Sequence, residues 1–141
     1  MKIGKPIKVE FYTKEGERIA FKPSRKRSKK VWSTKYADKK FHDFLLKRDM
    51  VCQRCKKICG RLEVSHFFSR NNSATRYDSE NCDIVGFPCH WGNVQGWEFK
   101  KQTEYRDFKI KQLGKKRYDA LCKRAELIVK REKAIREFMS I

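Results

Sequence analysis

The sequence predicts a small α+β domain built around a zinc knuckle, with an N-terminal hairpin, a basic arm and C-terminal helices. Three observations carry this. A Cys-x2-Cys pair at Cys52 and Cys55 opens a cysteine-rich middle; short segments alternate apolar and polar residues before and after it; and apolar residues recur at helical spacing on both sides. With 141 residues there is enough chain for one modest core and too little for two. The expected organisation is a hairpin and basic arm over residues 1–35, a knuckle-containing core over 36–114 and a basic amphipathic helix over 115–141.

Taken in order, "VEFYTKEGERIAFK" places Val9 and Phe11 on one side of a glycine-containing turn and Ile19 and Phe21 on the other, the pattern of a short hairpin. Five of the six residues from Arg25 to Lys30 are basic, including Arg25, Lys26 and Arg27, which suits a flexible arm that neutralises phosphates. From Tyr36 to Asp49, Phe41, Phe44 and Leu45 fall at helical spacing, with His42 off that stripe. "LEVSH" alternates and ends on His66, and "DIV" is a second short apolar strand. After Trp97 the residues Tyr105, Phe108 and Leu113 predict a helix stopped by Gly114. Beyond it, Tyr118, Leu121, Ala125, Ile128, Ile135 and Met139 predict one long amphipathic helix. Its stripe could dock on the domain or on a second copy of the chain.

Charge narrows the partner. Thirty-six Lys and Arg against 17 Asp and Glu give a formal net charge of +19, a field that a polyanion such as DNA or RNA offsets. A membrane is not expected, because no apolar run approaches the length of a spanning helix. The opening residues alternate instead of running apolar, so no secretory signal is expected and a cytoplasmic location is.

Six cysteines in a chain expected to stay in a reducing compartment favour metal binding over disulfides. A Cys-x2-Cys turn sets two thiolates on one edge of a zinc tetrahedron. Cys89 supplies a third, but the position three residues before it is Gly86, where a second knuckle would carry cysteine. Cys59 and Cys82 are the two candidates for the fourth ligand, and a metal-free packed remnant is the alternative.

The order of parts is a knuckle, a strand ending in His66, a polar loop closing on Asn81, a second strand, then Cys89 and His90 at a helix start. That is the layout of HNH, or ββα-metal, nucleases. The stretches "SHFFSRNNSATRYDSEN", "CHWGN" and "YRDFKIKQLGKKRYDAL" further resemble the phage NinG (Rap) recombination nuclease family, over roughly residues 36 to 125. The resemblance implies an endonuclease of a bacterial host's cytoplasm that cuts branched DNA with Mg²⁺ or Mn²⁺. It implies His66 as general base, His90 as catalytic metal ligand, Asn81 as the loop-pinning residue, and Arg70 and Arg76 as phosphate contacts. Two departures stand out. Ser65 occupies the place where many ββα-metal enzymes carry a metal-binding carboxylate or histidine. The glycine at 86 also allows an alignment in which Asn93, not His90, holds the catalytic ion. A homodimer would suit symmetric cutting of a four-way junction.

Overall fold

The structure is a computed structural model that describes residues 11–12, 14, 16, 18–19, 31–91, 96–98 and 101–140. The chain divides into two compact units, residues 1–30 and 31–141. In the first, β1 (Phe11–Tyr12) pairs antiparallel with β2 (Arg18–Ile19), with Phe11 opposite Ile19 and Tyr12 opposite Arg18. Gly16, at φ 84°, supplies the left-handed residue the turn needs. The expected hairpin is present; Val9, Phe21 and the basic residues Arg25, Lys26 and Arg27 lie outside the described residues.

The second unit opens with α1 (Thr34–Asp49). Ser33 caps it by accepting the Tyr36 N–H at 3.2 Å, and Met50 ends it in a left-handed conformation, returning its N–H to Leu46 O. Ala37, Phe41 and Leu45, spaced four apart, are buried, whereas Phe44 is half exposed and off the core. Next come β3 (Leu62–His66) and β4 (Cys82–Gly86), an antiparallel pair whose register sets Leu62 opposite Gly86, Val64 opposite Ile84, Ser65 opposite Asp83 and His66 opposite Cys82. Every residue of β4 is buried. Because side chains alternate across a strand, Cys82 and Ile84 pack with Phe41 and Leu45 of α1, while Val85 packs on the other side with Cys52, Trp97 and Tyr105.

Directly after Gly86 the chain turns into α2 (Phe87–Trp91), with Pro88 in its first turn, followed by α3 (Gln102–Leu113) and α4 (Lys115–Ala125). Gly114, at φ 78°, separates α3 from α4, as expected of a helix stop. Asp83 is fully buried and is neutralised by Lys109 of α3 at 2.6 Å, with the Tyr105 hydroxyl and Gln112 amide also donating to it. This joins the sheet to α3.

The single long C-terminal helix expected from the sequence is instead two, α4 and α5 (Arg131–Met139), separated by residues 126–130. The Asn72 side chain donates to Ala125 O at 2.8 Å, closing α4 at that point, and the break lets α5 fold back on α1. Phe138 then stacks on Tyr77 and meets Phe41 edge-on, and Ala134 and Ile135 are buried. Leu127 and Ile128, in the turn, are exposed. The apolar stripe therefore docks on its own domain. Among the described residues no helix is long and apolar enough to cross a membrane.

Candidate functional site

The first candidate site is a four-cysteine cluster. The Cys52–Cys55 knuckle follows α1 and turns through Lys56, at φ 61°, whose N–H bonds to Cys52 O at 2.8 Å. The sulfur atoms of Cys52, Cys55, Cys59 and Cys89 all lie within 4.8 Å of one another. A zinc ion with Zn–S bonds of about 2.3 Å needs S···S edges of about 3.8 Å. Cys59 and Cys89 stand 3.7 Å apart, too far for a disulfide and right for that edge. The cluster can hold a metal such as zinc.

Of the two candidates for the fourth ligand, the structure brings in Cys59 and excludes Cys82, which is fully buried against Phe41 on the α1 side of β4. The glycine at 86 now has a physical reason. A Cβ there would fall 2.3 Å from Cys59 Sγ and 2.7 Å from Cys59 O. The space of the missing second-knuckle side chain is filled by a cysteine from another part of the chain.

The donor chemistry fits a cation as well. Burial alone would raise the Cys52 thiol, but backbone N–H groups of Cys55, Gly86 and Arg54 aimed at its sulfur lower its pKa to about 7. Burial and the neighbouring thiols push Cys59 and Cys89 up. One thiolate, that of Cys52, is therefore favoured by the protein itself, and ionising Cys59 and Cys89 calls for a bound positive charge.

The second candidate is a cleft of about 400 Å³ lined by His66, His90, Glu63, Arg70, Arg76 and Trp91, among others. A smaller adjoining pocket adds Glu98 and Asn71 and shares His66, His90 and Arg70. His66, at the end of β3, is 6% exposed, and its Nε2 lies 3.2 Å from Arg76 O. A carbonyl only accepts, so Nε2 carries the hydrogen and Nδ1 is the ring's basic atom. Burial lowers the His66 pKa to about 4, opposed by the negative charge of Glu98. The ring is neutral throughout the physiological range.

Asn81 holds the loop over this ring. Its side-chain oxygen accepts from Phe68 N at 2.7 Å and its amide donates to Phe68 O and Thr75 O, while its own carbonyl accepts from Phe67 N. The backbone just past His66 is thereby fixed on both sides.

The two arginines part company. Arg76 is buried and forked onto Asp38 at 3.0 and 2.6 Å, with its third nitrogen on Arg70 O. Burial would raise the Asp38 carboxyl, but the Arg76 and Tyr77 hydrogen bonds hold it below its usual range. Arg76 thus anchors the carbonyl that fixes His66, and its guanidinium is engaged inside the protein. Arg70 is exposed, and its guanidinium makes no hydrogen bond to a described residue.

His90, buried on α2, is flanked by two acids that the sequence reading did not single out. Its Nδ1 is 2.9 Å from Glu63 Oε2, and its Nε2 contacts Glu98 Oε2 still more closely. Burial would lower the His90 pKa, but the two carboxylates together raise it. Glu63 also accepts from Trp91 Nε1 at 2.8 Å and from Arg61, and His90, Arg61 and Trp91 hold its carboxyl down against the effect of burial. The signals were slight: Glu63 is a polar residue on an alternating strand, and Glu98 is the sole acid between Asp83 and Glu104. Ser65 does not line the cleft; it is buried opposite Asp83, with its carbonyl accepting from the Tyr105 hydroxyl. Asn93 lies outside the described residues.

No family model, curated protein or solved structure matches this chain.

Proposed function

We propose that this chain is a metal-dependent DNA endonuclease with an HNH-like ββα-metal core, resembling the phage NinG (Rap) recombination nucleases and acting on branched DNA. The observation that carries the reading is His66: a neutral imidazole with Nε2–H fixed by a backbone carbonyl, lining one cleft with His90 and Arg70. Strand, Asn81-pinned loop, strand and short helix follow one another in the order such a core requires.

In this reading the Nδ1 lone pair of His66 takes the proton of the attacking water. The hydrogen bond to Arg76 O and the negative charge of Glu98 both support its basicity against the effect of burial. Arg70, exposed at the rim, contacts the phosphate, while Arg76 acts through Asp38 and the loop backbone to keep the base in place. Arg25, Lys26 and Arg27, within a net charge of +19, hold the DNA backbone without reading sequence.

The donor set beside His66 suits a hard divalent ion, since it offers one imidazole and carboxylate oxygens and no thiol. When bound at His90, Mg²⁺ or Mn²⁺ would neutralise the scissile phosphate and the leaving 3′ oxygen. Structural zinc in the four-cysteine cluster would hold the knuckle against the start of α2.

The test is cleavage of a four-way DNA junction with Mg²⁺ or Mn²⁺, comparing the chain with His66→Ala. Loss of a positioned base should lower the rate by roughly 10²–10⁴-fold, with junction affinity unchanged at fixed salt. A chain that binds junctions but cuts with neither ion overturns the proposal and leaves a non-catalytic zinc-knuckle nucleic-acid-binding protein.

A further inference from the structure

The position before the base is a serine facing the core, so it offers no carboxylate to a metal. Two acids reach His90, on opposite sides of its ring, and their surroundings differ. Glu63 is satisfied by Trp91 and Arg61 in addition to His90. The Glu98 carboxylate has His90 Nε2 as its hydrogen-bond partner among the described residues, and it lines the pocket that also holds His66 and Arg70. Glu63 has the position of a carboxylate that orients a ligating histidine through its far nitrogen; Glu98 has the position of a ligand.

We propose that Glu98 and His90 Nε2 form the protein's ligand pair for the catalytic divalent ion, with Glu63 holding His90 through Nδ1. Glu98 would then take over the role that a residue at position 65 plays in many ββα-metal enzymes. It does so from beyond α2, on the segment where Trp97 is buried and Trp97 N bonds to Cys89 O at 2.9 Å. Gly96, just before it, packs so closely on α2 that a Cβ would fall 2.7 Å from His90 O. The segment that carries Glu98 is thus locked to the helix that carries His90, and the two donors share one rigid support. An imidazole nitrogen and a carboxylate oxygen, with water completing the shell, suit Mn²⁺ and Mg²⁺ better than a soft ion, so this site and the cysteine cluster would sort their metals by chemistry.

The proposal rests on the nuclease reading for its purpose but not for its test. Mn²⁺ binding to the zinc-loaded chain, followed by electron paramagnetic resonance, should show one site that Glu98→Gln weakens tenfold or more and Glu63→Gln by about tenfold. Zinc content and circular dichroism establish that each variant is folded. Junction cleavage by Glu98→Gln should recover as Mn²⁺ is raised, whereas His66→Ala should not recover. Glu98→Gln binding Mn²⁺ as tightly as the unaltered chain would overturn the assignment and leave Glu98 as an ion-pair partner of His90. Absence of any Mn²⁺ site in the unaltered chain would overturn it equally. A Glu98-dependent Mn²⁺ site in a chain that never cuts would uphold the ligand pair and refute the nuclease reading.

Discussion

Gly86→Ala tests the rearranged cysteine cluster with a single methyl group. The added Cβ would lie 2.3 Å from Cys59 Sγ and 2.7 Å from Cys59 O, so the neighbour that must move is a ligand and its own backbone. Side-chain rotation alone cannot relieve the contact with the carbonyl. Overpacking of this kind costs roughly 1–3 kcal/mol. For a unit of this size each kcal/mol lowers the melting temperature by roughly 4 °C, so a fall of about 4–12 °C is expected in zinc-loaded protein. Displacing Cys59 also opens the tetrahedron, so zinc stoichiometry should fall from near one toward zero and the remaining zinc should be lost at lower chelator concentration. Thermal melts with and without chelator, together with metal analysis, read both effects. Cys82→Ala is the control: it should lose core stability and keep its zinc, since Cys82 is fully buried against Phe41 and outside the cluster. Gly86→Ala with full zinc content and an unchanged melt would refute the placement of Cys59. Cys82→Ala losing zinc while Cys59→Ala keeps it would do so as well.

Two further outcomes follow from buried charge. His66 has a folded pKa of about 4 against an ordinary 6.5, so the unfolded chain binds more protons between those values and stability falls as pH drops through that window. About 3 kcal/mol is involved in all, present in full well above pH 6.5, and about 2 kcal/mol of it is gone by pH 5; because the raised His90 pKa works in the opposite direction in both proteins, urea titrations at pH 7 and pH 5 should show the unaltered chain losing about 2 kcal/mol more than His66→Asn, and equal changes in both would refute the assignment. Lys109→Met removes the close cation of Asp83, both side chains being 0% exposed at 2.6 Å, and leaves Arg48 at 3.9 Å as its remaining ion-pair partner, and should cost roughly 3 kcal/mol; adding Asp83→Leu should recover part of that loss, and a single variant as stable as the unaltered chain would show the pair to be dispensable.

How far the site could be read from the sequence depended on how local its determinants were. The hairpin, α1, the stop at Gly114 and the pairing of Cys52 with Cys55 follow from residues a few positions apart, and all four were legible. The break between α4 and α5 was not. The periodicity runs on through Ile128 and is interrupted only at Glu132, beyond the break, and the reasons for the break are distant ones: Asn72 at the end of α4, and the Phe41–Tyr77 surface that receives Phe138. Arg76 read as a phosphate contact beside Arg70 because its partner, Asp38, is 38 positions away on α1.

By itself the sequence determined an α+β chain of strong positive charge, with cysteines numerous enough for a metal and a histidine at the end of a strand. These are properties of composition and of side-chain period, which neighbours in the chain fix. Tertiary structure alone decided between Cys59 and Cys82, because the deciding quantity is the room beside the backbone of Gly86. It alone turned Ser65 to the core, through a register that pairs it with Asp83, and brought Glu63 and Glu98 to the two nitrogens of His90. Ligand sets are made by convergence in space, and a carboxylate eight residues past a histidine has no sequence pattern to mark it until the chain between them folds back.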